Sequence, residues 1–118
     1  DTCFNTCMNY MFENIDLFSI FIGTHNEDSN ALAINNIKKH NLNVNDGKVW
    51  FSQLYGMSDH ISYNLSFNGY KVAKYLPFGP VKDVIPYLLR RADENTSIEG
   101  QTSRELSLFS KELNRRRI

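Results

Sequence analysis

Residues 75–94, YLPFGPVKDVIPYLLRRADE, decide the fold. Val72, Ala73, Tyr75 and Leu76 suit a β-strand, and Pro77, Gly79 and Pro80 break it. Proline costs nothing at the first turn of a helix, where its missing N–H has no partner to lose, so Pro80 marks a helix start. Val81, Ile85, Leu88, Leu89 and Ala92 then recur at helical spacing and make an apolar stripe. Tyr87, Arg90, Arg91 and Glu94 stand at i, i+3, i+4 and i+7 and make a second one.

That second stripe has two readings. In the first it is a solvated face, with Arg90 or Arg91 paired to Glu94 across one turn, a contact worth about 0.2–0.5 kcal/mol. In the second it sets two guanidiniums and a phenol at the mouth of a pocket, next to the strand that delivers Tyr75. Neighbouring arginines lie about 100° apart around a helix, so they converge only on a ligand beside the helix that spans both. A carboxylate or a phosphate has that shape, and the planar guanidinium fork matches it where an ammonium does not.

Working outward, the same strand–turn–helix logic repeats. Residues 2–15 read as an Asn-rich amphipathic helix, with Cys3, Cys7, Tyr10 and Met11 at i, i+4, i+7 and i+8. Leu17 to Ile22, LFSIFI, is a continuous apolar run closed by Gly23, the pattern of a strand buried on both faces of a parallel sheet. Residues 28–41 read as a helix with Leu32, Ile34 and Ile37 inward and Asp28 or Ser29 as cap. Val49 to Leu54 is a second strand, Asp59 to Phe67 a helix ended by Gly69, and Val72 to Leu76 a third strand. A helix over Val81–Asp93, a loop over Ser97–Thr102 and a last helix over Ser103–Arg117 complete the chain. Alternation with short loops predicts parallel strands, in either a doubly wound sheet or part of a (β/α) barrel. In both, the polar residues just past the strand C-terminal ends are the ones that touch ligand.

Three strand ends supply such groups. Thr24, His25 and Asn26 follow the first strand, as ligand contacts or as a plain turn and cap with His25 exposed. Leu54, at the end of the second strand, is an apolar wall or ordinary packing, and Gly56 beyond it permits close approach or positive φ. Tyr75 ends the third strand. There is no glycine-rich phosphate fingerprint, no nucleophile elbow and no paired catalytic carboxylate motif, so no catalytic residue is assigned. The residues by themselves predict an anion-recognising pocket on the C-terminal rim of a parallel sheet.

Composition narrows the classes. The 118 residues allow one modest domain. Lys plus Arg equals Asp plus Glu, 13 each, so nothing draws the chain to nucleic acid in bulk, and the tail Arg115–Arg117 is too short to change that. No apolar run reaches about 18 residues and no secretory signal opens the chain. Cys3 and Cys7, on one helix face, read as partly buried thiols with no further ligands for a metal. The chain reads as intracellular, and its start inside a helix, without Met, reads as a piece of a longer protein.

Taken together, the strings FIGTHNEDS, WFSQLYGMSDHISYNL, GYKVAKYLPFGPVKDVIPYLLRRADEN and GQTSRELSLFSKELNRRR resemble proline dehydrogenase, from about Phe18 onward. The SQLYGMSD form is more similar to the monofunctional enzymes, the mitochondrial type included, than to the large bifunctional bacterial ones. The resemblance implies an α/β fold, the C-terminal portion of a (β/α)8 TIM-like barrel: the last three βα units and the closing helix, with residues 1–118 as one partial domain. It implies FAD-dependent oxidation of L-proline to Δ1-pyrroline-5-carboxylate, with electrons passed to a membrane quinone. Arg90 and Arg91 match the pair that grips the proline carboxylate. Tyr75, Tyr87 and Leu54 match residues that wall its ring. Thr24, His25 and Asn26 match a segment that contacts FAD, and Glu94 a residue near the flavin. Gln53, with Ser52 beside it, lies in the strand that carries a FAD-contacting glutamine. The family's catalytic lysine and its aspartate lie on early strands, so the expected partner is the upstream part of the same barrel, and these residues alone are expected not to turn over proline. The implied location is cytoplasmic, peripheral on the inner face of a membrane, or mitochondrial in a eukaryote. Two other readings stay open: an anion- or phosphate-binding part of a different barrel enzyme, and a non-catalytic interaction module.

Overall fold

Parallel β-α alternation is what the computed structural model shows, and it describes residues 1–97 and 101–116. The order is α1 (Thr2–Glu13), β1 (Ile20–Gly23), α2 (Glu27–Lys39), β2 (Val49–Leu54), α3 (Asp59–Phe67), β3 (Val72–Tyr75), α4 (Val81–Ser97) and α5 (Gln101–Arg116). The strands form one sheet in the order β1-β2-β3, every pair parallel. The chain divides into two compact units, one running from Asp1 to Leu76 and the other taking over at Pro77.

In the first unit the register fixes what faces the helices. Ile22, Phe51 and Val72 are aligned across the sheet, and Gly23, Ser52 and Ala73 form the next row. Successive side chains of a strand alternate between faces. Ile20, Ile22, Val49 and Phe51 join Met8 and Phe12 of α1, Ala33 and Ile37 of α2, and Ile61 and Leu65 of α3 in one buried cluster. All three helices therefore cover the same face. A doubly wound sheet carries helices on both faces, so the one-sided layer selects the barrel alternative.

The one-sided layer corrects the first strand. It runs only from Ile20 to Gly23, and it alternates: Ile20 and Ile22 are buried while Phe21 is 62% exposed. Burial on both faces needs cover on both, and the packed helices supply it on one. The stripe expected on α1 is also shifted. Cys3, Cys7 and Tyr10 are exposed, Met11 is half-buried, and Met8 and Phe12 face the core. The same inward face carries amides: Ser29 Oγ donates to Asn5 Oδ1 at 2.8 Å and Asn36 Nδ2 to Asn9 Oδ1 at 2.7 Å. On α2, Ala33 and Ile37 are buried while Leu32 and Ile34 are only partly so. Its cap is Asn26, whose Oδ1 accepts the Ser29 N–H at 2.9 Å, and Glu27 and Asp28 then complement the helix dipole in the first turn. β2 and α3 have the expected bounds, and Gly69 at φ +83° follows α3 in the left-handed conformation that glycine adopts without steric cost.

In the second unit, the Pro80 carbonyl accepts the Asp83 and Val84 N–H groups at 2.9 and 3.1 Å and starts α4. α4 is four residues longer than expected and contains Pro86, which cannot donate to the turn before it. Val81, Ile85, Leu88 and Leu89 of α4, and Leu106, Phe109 and Leu113 of α5, are exposed. Of the loop expected over 97–102, residue 97 belongs to α4, residues 101 and 102 to α5, and 98–100 lie outside the described residues. Among the described residues no helix is long and apolar enough to cross a membrane.

Candidate functional site

The segment after β1 is held rigidly. Thr24 Oγ1 accepts the Asn26 N–H at 3.1 Å, which leaves the hydroxyl proton of Thr24 able to point elsewhere. Asn30 Nδ2 donates to the carbonyls of Thr24 at 3.3 Å and Asn26 at 2.7 Å. Gln53 Nε2 donates to the same Thr24 carbonyl at 3.2 Å. Buried backbone groups demand partners, and here side chains provide them just where the β1–β2 ladder stops.

His25 is half-buried and engaged at both ring nitrogens, not exposed as a plain turn would leave it. Its Nε2 lies 3.4 Å from the backbone N of Leu54, and its Nδ1 lies 2.8 Å from Ser58 Oγ. A backbone N–H can only donate, so Nε2 is the acceptor. In a neutral imidazole the proton then sits on Nδ1, and Ser58 Oγ accepts it. Ser58 itself is 1% exposed and sits at φ +49°, in the left-handed region that a non-glycine residue occupies at a cost of roughly 1–2 kcal/mol.

The end of β2 separates two expected residues. Gln53 is 2% exposed and faces the helices, with its Oε1 accepting from Ser62 Oγ of α3 at 2.8 Å. Its amide thus bonds at both ends within the protein, to the Thr24 carbonyl and the Ser62 hydroxyl. Ser52, aligned with Gly23 and Ala73, is the neighbour on the opposite face. Leu54 and Tyr75 do meet: they are register partners on that helix-free face, and Tyr75 is 52% exposed. Beneath them Lys74 turns to the helix side, where its Nζ donates to the Met57 carbonyl at 2.6 Å and pairs with Asp59 at 2.7 Å. His60 Nε2 meets Glu27 Oε1 at 2.9 Å and ties α3 to the first turn of α2. An open groove of about 310 Å³ beside α3 and β3 is lined by Tyr55, Tyr63 and Lys74 among others, and none of the expected site residues borders it.

Sequence reasoning missed Ser58, Ser62 and Lys74. Two signals were present. Ser58-Asp59 is a helix-start signature, and Lys74 alternates with Tyr75, so it must face the layer that Tyr75 does not.

The second unit carries the arginine stripe. An Arg91 terminal nitrogen donates to Glu94 Oε1 at 2.5 Å, and the guanidinium lies over the Tyr87 ring, 5.3 Å from its centroid. The pairing of the solvated-face reading is thus present, but Arg91 is also drawn to the Tyr87 ring, an attraction worth about 0.5–1 kcal/mol. Its Nε is buried and has no hydrogen-bond partner within the protein. Arg90, on the adjacent face, is exposed. Thr24, His25, Asn26, Gln53, Leu54 and Tyr75 therefore belong to the first unit, and Tyr87, Arg90, Arg91 and Glu94 to the second. Among the described residues no group of His, Cys, Asp and Glu could hold a metal ion.

Comparison with known proteins bears on this arrangement. A family model described as proline dehydrogenase matches residues 1–104. Proline dehydrogenase 1, mitochondrial, of Arabidopsis thaliana is 42% identical over 120 residues, covering 99% of this chain and 24% of that protein. Its counterpart of the same name in Homo sapiens is 40% identical over 116 residues, covering 96% of this chain and 19% of that protein. Among solved structures, proline utilization A (PutA) from Bdellovibrio bacteriovorus, inactivated by N-propargylglycine, aligns with a TM-score of 0.72 and 32% identity over 80% of this chain and 10% of that one. The chain thus spans about a quarter or less of the length of these relatives. With the one-sided helix layer, that likeness gives the fold class as α/β, parallel βα units of the C-terminal part of a (β/α)8 barrel.

Proposed function

We propose a function from one premise: the chain belongs to the proline dehydrogenase family. In the whole enzyme, residues 1–118 form one partial domain of the barrel and complete it together with the upstream part of the same barrel. The enzyme oxidises L-proline to Δ1-pyrroline-5-carboxylate. Bound FAD supplies the electron sink for this step and passes the electrons to a membrane quinone. The 118 residues by themselves do not turn over proline.

The donor set fits such a cofactor. The Thr24 hydroxyl retains a proton to donate, and Asn30, whose amide braces the Thr24 and Asn26 carbonyls, has a buried Oδ1 with no partner within the protein. One donor and one acceptor in the same strand-end cluster suit the hydroxyl- and amine-rich adenosine end of a dinucleotide. Thr24, His25 and Asn26 form the cofactor-contacting segment, and Glu94 completes it. His25 contributes its ring face, because both nitrogens are occupied.

Arg90 and Arg91 hold the proline carboxylate, and Leu54, Tyr75 and Tyr87 wall the ring. The observation that carries this assignment is the buried, unpartnered Nε of Arg91. An N–H left without an acceptor is costly, and a substrate carboxylate would satisfy it by a charge-assisted bond worth about 1.5–3 kcal/mol. The Tyr87 ring and Glu94 keep the fork in one orientation before the substrate arrives. The enzyme works at the membrane face from the cytoplasm, or in mitochondria if the source is eukaryotic.

The test is made on the full-length protein. It should purify with a flavin spectrum, reduce a dye only when proline is added, and lose that activity on treatment with N-propargylglycine. A colourless protein that is indifferent to proline, or one whose ligand site answers to inorganic phosphate instead, would refute the assignment.

A further inference from the structure

We propose that Ser58 is a positioning residue for the strand-end segment Thr24–Asn26, acting through the His25 imidazole. The proposal rests on the functional reading above for what that segment touches, and on the structure for how it is held.

Ser58 is buried, and its backbone is in the left-handed conformation, at φ +49° and ψ 42°. A serine stays in that conformation only when its surroundings over-determine it. Its side chain makes no cap bond to the start of α3, the usual employment of a serine in that place. The helix start is served by the Ser58 carbonyl instead, which accepts the Ile61 and Ser62 N–H groups at 3.1 and 3.2 Å. The hydroxyl is turned back to His25 Nδ1 at 2.8 Å.

That contact selects the imidazole tautomer. With the proton on Nδ1 and directed at Ser58, Nε2 is an acceptor, and it takes the Leu54 N–H at 3.4 Å. One histidine thus closes the ladder beyond β1 and joins the cofactor-side segment to the backbone of Leu54, the substrate-side wall. Without Ser58 the other tautomer becomes available. Its Nε2–H would confront the Leu54 N–H, donor against donor, and the ring would have to turn away. The Thr24 hydroxyl, on the residue just before that ring, would lose its orientation toward the cofactor with it.

The experiment uses the full-length flavoprotein labelled with 15N-histidine. Ser58→Gly keeps the left-handed backbone, which glycine adopts freely, and removes the hydroxyl with its Cβ. Ser58→Asn keeps an acceptor oxygen in a residue that tolerates the same conformation. Wild type should show His25 with an unprotonated Nε2 and a protonated Nδ1. Ser58→Gly should lose that signature and bind FAD about five- to tenfold more weakly, as expected for one hydrogen bond, while Ser58→Asn restores part of both. A wild-type proton on Nε2, or a Ser58→Gly protein with unchanged histidine resonances and unchanged FAD affinity, overturns the proposal. A lost signature with FAD still tightly held also overturns it. A wild-type protein that takes up no flavin at all, yet shows the Nδ1–H form, overturns the functional reading and with it the flavin-facing half of this one.

Discussion

Leu54 and Tyr75 stand directly opposite each other across the β2–β3 ladder, both on the face that carries no helix. Parallel pairing puts aligned side chains on the same side of the sheet, so two residues 21 positions apart in sequence become one surface. Cross-strand neighbours couple by about 0.2–1 kcal/mol. In the full-length enzyme, Leu54→Ala and Tyr75→Ala should each raise the KM for proline, and the double variant should lose less than the sum. Strict additivity in kcat/KM would show that the two do not share a ligand.

Arg91 and Arg90 should not respond alike. Arg91 is stacked on Tyr87 and braced by Glu94, whereas Arg90 is exposed. Arg91→Met should raise the proline KM about ten- to a hundredfold, the value of one charge-assisted bond, with FAD content unchanged. Tyr87→Leu should reproduce a fraction of that loss by releasing the guanidinium. Steady-state kinetics alongside the flavin-to-protein absorbance ratio reads both.

Gln53 is expected to behave as a structural residue. Its amide joins the Thr24 carbonyl to the Ser62 hydroxyl in a buried place. Gln53→Leu should destabilise the fold by about 1–3 kcal/mol by orphaning those groups. The protein that remains folded should still bind FAD in full, which thermal melts combined with flavin titration would establish.

Lys74 makes a similar case with charge. Its ammonium neutralises Asp59 and holds the Met57 carbonyl, so Lys74→Met strands both. Loss of a half-buried charged donor predicts destabilisation of about 1–3 kcal/mol, and the additional change Asp59→Asn should recover part of it. Denaturant melts of the single and double variants measure the recovery.

At the other end of the chain, hydrogen bonds from Arg115 and Arg116 pull the Glu112 carboxyl from 4.5 down to about 2. A lowered carboxylate favours the folded arrangement at pH values above the unfolded pKa, and that contribution fades as pH falls toward about 2. Glu112 should therefore still be ionised at pH 4. A carboxyl-carbon NMR titration would reveal it, and titration near the ordinary glutamate value would mean that the arginine pairs do not form in solution.

How much of this was legible in the residues differs by element. The bounds of β2 and α3 were readable because Gly56 and Gly69 punctuate them and VWFSQL has no competing period. The class of fold was readable from alternation alone. The run LFSIFI was not, because an apolar string does not say which faces will find cover. The inward face of α1 was hidden for a related reason: its amides are core-compatible only once Ser29 and Asn36 are opposite them. His25 was visible as chemistry but not as geometry, since its two partners come from another strand end and a helix start. Gln53 was readable as a member of the second strand beside Ser52, but not the face it takes, because a shift of one residue exchanges the two faces and only the packed helices decide between them.

The two amide contacts between α1 and α2 have a consequence of their own. Greasy surfaces slide; a hydrogen bond does not. Asn5 to Asn9 spans one helical turn, while Ser29 to Asn36 spans two, so both bonds can close together at a single mating position of the pair. Trading these side chains for leucine would strengthen adhesion and erase the index mark, leaving two rods that stick firmly at several offsets.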